Sequence, residues 1–261
     1  MFDTVDLHHV REMRAARQSG SAWRMRQACR SRRRELRLVQ RCDTTFVVSS
    51  AERQWLEQSV PEADVRLLSN IHHVHPNDVD FEDRQDLIFV GGWAHPPNRD
   101  AIHWLAKEIM PLIRRRLPEV TLHLVGDLPE AARGSLRQPG VHIHGRIPDL
   151  DPMLRTCRLA LAPLRYGAGV KGKINMAMSH GVPVVATPMA TEGMFLTDGQ
   201  NVLVADTAAD FAEAVVRAYG DPALWRTLSI GGIENVRRHF SFDAARDCLG
   251  SIFGAMPPLP K

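Results

Sequence analysis

The sequence contains no run of about eighteen apolar residues, the length a membrane-spanning helix requires, so such a helix is excluded. Its opening stretch, Met1 to Arg14, carries acids early and lacks an apolar segment, and it does not read as a secretory signal. Cysteine is sparse. Cys29, Cys42, Cys157 and Cys248 stand apart without CxxC spacing, which argues against zinc knuckles and redox pairs and for free thiols in a reducing cytosol. Aromatic residues are few, and no internal repeat or low-complexity tract is present. What remains is an ordinary globular composition: 44% apolar and 24% charged over 261 residues, enough to bury a sizeable core. The net charge of +3 is unevenly spread. From Arg11 to Arg41 arginines far outnumber acids, and Arg32, Arg33 and Arg34 are consecutive. Such a stretch is either a solvated helix face or a surface for phosphate-bearing partners. No basic pattern interleaved with aromatics accompanies it, so nucleic acid is not an expected partner.

The chain divides near residues 71–85, where IHHVHPNDVDFEDRQ has neither a helical nor a strand period. Before it the pattern predicts a long helix from His9 to Gln40, a strand over Thr44–Val48, a helix over Ala51–Gln58 and a strand over Val65–Leu68. That is too little for a complete α/β domain. After it, short apolar strands alternate with helices, the signature of a parallel sheet covered on both faces. Strands are expected over Leu87–Val90, Val120–Val125, Val141–His144, Leu159–Ala162, Val184–Ala186 and Val202–Val204. Helices are expected over Asn98–Arg116, Glu130–Leu136, Asp151–Thr156, Lys173–His180 and Ala208–Tyr219, with Asn98 and Asp151 as N-caps. A final helical stretch runs from Ile233 to Phe253, interrupted near Phe240–Phe242. The domain reading is therefore an incomplete α/β unit over 1–75, a linker over 76–85, a doubly wound domain over 86–245, and a helix end and tail over 246–261.

In an open parallel sheet, ligands bind beyond the carboxyl ends of the strands. Glycine recurs in those loops: Gly91-Gly92, Gly126, Gly145 before Arg146 and Ile147, and then Gly167, Gly169 and Gly172. The last loop adds Arg165, Lys171 and Lys173 ahead of a helix whose positive end points at the same spot, which suits a diphosphate. The alternative is a glycine-rich surface turn with solvated lysines. Residues 167–173 match the start of a P-loop, but Ile174 stands where magnesium-binding Ser or Thr is required, and no Walker-B partner is found.

At this loop the sequence resembles a family. PLRYGAGVKGKINMAMSHGVPVVATPMATEGM is similar to the donor-site signature of the glycosyltransferase group 1 family, retaining enzymes of the GT-B fold. FVGGWAHPPNRDAIHWL, VTLHLVGDLP, VHIHGRIPDLDPMLRTCRLALAPL and LTDGQNVLVADTAADFAEAV resemble further segments in the same order, and the likeness spans Leu87 to Ala244. DTVDLHHVREMR and CDTTFVVSSAERQWL resemble the later part of the family's N-terminal, acceptor-binding domain, which is thus expected to be truncated here. The resemblance implies a nucleotide-diphosphate sugar as donor substrate, no cofactor and no catalytic metal. A glycan, lipid-linked or protein acceptor is implied, with polysaccharide biosynthesis as the setting. A cytoplasmic enzyme would be held peripherally at a membrane face through Arg11–Arg41.

The resemblance also implies roles. Arg146 and Ile147 would hold the nucleobase, Gly91 and Gly92 would border the donor, and the amides of Gly169 and Val170 would face sugar or diphosphate. The family's arginine–lysine pair after the first strand is missing. Arg165 and Lys171 are the candidates to neutralise the leaving diphosphate in its place, with Lys173 in support. The family's two glutamates, eight residues apart, fall on Gly167 and Asn175. Asn175 retains hydrogen-bonding capacity for a ribose, and Glu192 is the candidate to substitute toward the sugar. These departures support an alternative, a non-catalytic nucleotide-sugar-binding module or an inactive remnant. Asp6 and His8 are candidates on the acceptor side, Asp6 having a helix N-cap as its plain alternative. Asp149 and Asp151 have DxD spacing, read here as part of a helix start, and His72, His73 and His75 read as incidental.

Overall fold

The computed structural model describes residues 1–75 and 79–254. Two parallel sheets organise them. The first lobe contains β1 (Phe2–Asp3), α1 (His8–Gln18), α2 (Ala22–Arg41), β2 (Thr45–Val47), α3 (Ser50–Ser59) and β3 (Val65–Leu67), with sheet order β1-β2-β3. The expected single long helix is instead a hairpin of α1 and α2. Gly20 adopts φ +61°, and the Ser21 hydroxyl accepts the Arg24 N–H to start the second helix. The signal was the Ser-Gly-Ser step, which punctuates a helix more strongly than the continuing charge pattern sustains it.

The second lobe follows as β4 (Gln85–Val90), α4 (Pro96–Trp104), α5 (Met110–Arg116), β5 (Leu122–Val125), α6 (Glu130–Leu136), β6 (Val141–Gly145), α7 (Asp151–Thr156), β7 (Cys157–Ala162), α8 (Gly172–Ser179), β8 (Val184–Ala186), α9 (Pro188–Thr191), β9 (Leu203–Val204), α10 (Ala208–Gly220), α11 (Pro222–His239) and α12 (Phe242–Phe253). A π-helical turn, Leu105–Ile109, joins α4 to α5 just before Pro111. The six strands are all parallel in the order β6-β5-β4-β7-β8-β9. This is the doubly wound α/β architecture expected from the alternation of strand and helix. Leu87, Phe89, Leu122, Leu124, Leu159, Val185 and Leu203 are almost wholly buried between the helical layers, as befits strands covered on both faces.

Four sequence-based boundaries shift. Asn98 is not the cap of α4; the helix starts at Pro96, and proline at its first positions already supplies the required φ. Asp151 lies within the first turn of α7, while the Asp149 carboxylate accepts its N–H. The expected linker is ordered where described. Asp80 caps a 3-10 turn, Phe81–Asp83, that buries Phe81 against the second lobe, and Pro76, Asn77 and Asp78 lie outside the described residues. The 245/246 boundary falls inside α12, whose Cys248 thiol donates to Leu67 O at 3.1 Å and so returns the chain to the first lobe. The tail expected at Met256–Lys261 also lies outside the described residues. No helix among them is long and apolar enough to cross a membrane.

Candidate functional site between the lobes

The connections from β4 and β7 leave in opposite directions along the sheet, so a crevice opens where these neighbouring strands end. Into it run the loop after β4, with Gly91 and Gly92, and the loop after β7, from Pro163 to Lys171. A side chain at Gly91 would place Cβ 2.8 Å from Asn98 Cγ and 2.9 Å from Lys173 Nζ, so only glycine leaves room for that pair. Lys173 Nζ donates to Asn98 Oδ1 at 2.6 Å and sits 4.3 Å from the centroid of the Phe89 ring. Lys171 is buried and donates to Gly169 O at 2.6 Å. Burial lowers Lys171 to about 8, the Arg14 charge adding to the effect while Glu192 opposes it, and burial lowers Lys173 to about 7. Two of the four lysines in the chain are thus desolvated beside one glycine loop at the start of α8.

The first lobe closes the crevice. Gly169 adopts φ +65°, and a Cβ there would lie 2.9 Å from Asp6 Cβ and 3.4 Å from Val48 Cγ2. Asp6 therefore rests against the Gly167–Gly169 loop, held by an ion pair to Arg11 and a 3.1 Å contact with His8 Nε2. Partial burial, then the charges of Arg11 and Lys173, holds the His95 imidazole below its usual range. Arg14, on α1, reaches across to donate to Gly167 O at 2.7 Å and to Glu192 Oε1 at 2.8 Å. A cavity of about 120 Å³ lies here, lined by Arg14, Ser49, Glu52, Ala168, Gly169 and Glu192 among others. Burial raises the Glu52 carboxyl above its usual range, opposed by the Leu7 N–H and the Ser49 hydroxyl.

Several expected site residues meet here: Gly91, Gly169, Lys171, Lys173, Glu192 and Asp6. Gly92 is packed against Asp127, whose Oδ1 accepts the Trp93 N–H at 3.0 Å. Arg146 is exposed and Ile147 half-buried just after β6, on the same rim, while Val170 packs against the large core. Other assignments change. Arg165 is engaged by both oxygens of Asp100 on α4, at 2.9 and 2.5 Å, with its guanidinium 5.2 Å from the Trp104 centroid. It is Arg14 that brings a guanidinium to the Gly167–Gly169 loop. Asn175 is fully buried, and both its amide atoms lack a hydrogen-bond partner among the described residues. One position on, Met176 is half-buried. Glu192 is an ion-pair partner of Arg14. Arg11, Arg14 and His95 carried no local signal beyond charge, because nothing in their spacing says which loop they will meet.

The basic stretch also separates into two. Arg11 and Arg14 face the cleft, whereas Arg30, Arg33, Arg34, Arg37 and Arg41 form an exposed face of α2 around Leu38. The model of the group 1 glycosyl transferases matches residues 84–221, just over half of the chain and the second-lobe side of the crevice. The chain belongs to this family. A curated relative, described as an uncharacterized 44.6 kDa protein in the cps region of Klebsiella pneumoniae, is 25% identical over 198 residues, covering 72% of this chain and 50% of that protein. The chain therefore spans about half the length of the curated relative it matches. Among solved structures, S. aureus TarM in complex with UDP and other ligands superposes with a TM-score of 0.72 at 15% identity, over 87% of this chain and 47% of that one. Sucrose-phosphate synthase of Thermosynechococcus elongatus gives 0.72 at 20% identity, over 94% and 65%. At these identities the likeness is one of fold, and it takes in part of the first lobe as well.

Proposed function

We propose that the crevice binds a nucleotide-diphosphate sugar and that the chain is the donor-binding part of a retaining glycosyltransferase. The observation that carries this reading is the cluster of Lys171, Lys173 and Arg14 around the Gly167–Gly169 loop, at the N-terminus of α8. Neutral oxygens (Gly169 O, Asn98 Oδ1 and Gly167 O) accept from these cations, and a phosphate is a stronger acceptor. Held there, the diphosphate leaves with its growing charge already compensated by groups that need no reorganisation. Gly145, Arg146 and Ile147 lie on the rim where a base is held, and UDP is the nucleotide bound by TarM. Asp6 and His8 stand on the first-lobe side, where an acceptor hydroxyl approaches, and a glycan, lipid-linked or protein acceptor fits that reading. The exposed arginines of α2 suit contact with an anionic membrane surface.

Calorimetric titration with UDP, GDP and ADP tests the proposal. One nucleotide is expected to bind in the micromolar range, and Lys171→Ala to weaken it about tenfold or more, the loss of one charged hydrogen bond. Absence of binding by all three would sink it. The second reading, a binding module without transfer, is favoured by the first lobe itself, a sheet of three strands with two or three residues each. Release of free sugar from the cognate nucleotide sugar by this chain would exclude it.

A further inference from the structure

Away from the crevice, three histidines gather at the edge of the large sheet. His123 on β5 is the direct partner of His142 on the edge strand β6. The pairing then shifts: Leu124 faces Ile143 but Val125 faces Gly145, leaving His144 as the extra residue of a bulge. Bulges re-aim side chains, and this one stacks the His144 ring on His142, centroids 4.5 Å apart, with His144 Nε2 2.9 Å from His123 Nδ1. One ring nitrogen from each of the three lies within 4.8 Å of the others.

We propose that His123, His142 and His144 form a binding site for one divalent transition-metal ion of the zinc class, backed by Asp86. Zinc–nitrogen bonds of about 2.0–2.1 Å in a tetrahedron put neighbouring nitrogens roughly 3.3 Å apart, so the rings need only turn in place. Three imidazoles with one open position are a donor set for zinc, copper or nickel and a poor one for magnesium or calcium. The surroundings are arranged for it. With Nδ1 of His123 turned to the metal, its Nε2 faces Asp86 Oδ2 at 3.5 Å, the carboxylate–histidine pairing that orients metal-binding imidazoles. Asp86 is itself held in an unusual backbone conformation, φ +65°. Its N–H donates to the Tyr219 hydroxyl at 3.0 Å, and its other oxygen accepts the Thr121 N–H at 2.8 Å. A metal here ties the edge strand to its neighbour directly before the Gly145–Ile147 rim. The other histidine group, His75, Asp151 and His180, is a weaker candidate, since both nitrogens of His180 already contact Met176 O and Asp151 Oδ1.

The test is titration of the metal-free chain with zinc alone, followed by calorimetry and by the rise in unfolding temperature that ligand binding to the folded state produces. One ion is expected to bind in the micromolar range or tighter and to stabilise the protein. His142→Ala removes an exposed side chain, so the fold is retained while both effects disappear. Asp86→Asn leaves the three ligands and is expected to weaken binding roughly tenfold to a hundredfold. Lack of saturable zinc binding by the unmodified chain overturns the proposal. So does binding that survives His142→Ala and is lost instead in His75→Ala.

Discussion

The two lobes are built from the same kind of unit but held by different means. The second has six strands whose side chains enter one continuous core of aliphatic and aromatic residues. The first has three very short strands and a small apolar cluster around Leu7, Val39, Val47, Leu56, Val60 and Val65. It adds buried polar bonds. Glu35, on α2, accepts the N–H groups of His8 and His9 as well as the His9 ring, and Glu52 accepts the Leu7 N–H. Arg14, Gly193 O and Cys248 then tie it to the second lobe or to the helix that returns from it. A lobe that buries little apolar surface depends on directional bonds and on its neighbour, and here the bonds of Arg14 and Glu52 lie at the proposed binding site.

The largest expected effect lies in the big core. Leu159→Ala should cost about 2–5 kcal/mol of unfolding free energy in urea, and a loss below about 1 kcal/mol would undo the assignment of stability to that core. Next comes Glu35→Ala, which strands buried donors and should cost about 1–3 kcal/mol, with faster amide exchange in α1 and α2 but not in β4 or β7. Burial pushes the Glu35 carboxyl up, but the hydrogen bonds and charge of His9, with the His8 N–H, outweigh it and leave it below 4.5. Its contribution is therefore present above about pH 4.5 and lost as pH falls through the lower folded-state value. The acid-induced loosening of the hairpin should be missing from Glu35→Ala.

At the cleft, binding should depend on pH. Burial lowers Lys171 to about 8 and Lys173 to about 7, and a bound diphosphate is expected to raise both toward the usual lysine value. Nucleotide binding should then take up protons above pH 7 and weaken at least about tenfold by pH 9, about 1.4 kcal/mol. A flat profile would mean that these amines do not meet the phosphates. A double-mutant cycle on Arg14 and Glu192, both partly exposed, should give a coupling of only about 0.2–1 kcal/mol. Smallest of all, Asn175→Leu should leave nucleotide affinity within about twofold, since it removes a buried amide that makes no hydrogen bond among the described residues. A large loss would return Asn175 to the ribose.

The alternation of apolar strands and helices, the glycines at or after the ends of β4, β5, β6 and β7 and the lysines around the start of α8 were legible in the chain because period, turn chemistry and loop position are local properties. They determined a parallel doubly wound sheet and pointed to the loop where an anion is proposed to bind. The tertiary structure alone decided which groups surround that loop. Arg14 meets Gly167 across 153 residues of sequence, Arg165 is claimed by Asp100, and Asn175 is buried without a hydrogen-bond partner among the described residues, because a side chain's surroundings follow from packing against elements that sequence spacing does not place. The histidine group belongs to the same class. His142 and His144 show their shared face by alternation, but His123 joins them only when β5 pairs with β6 in this register and the bulge swings His144 into reach.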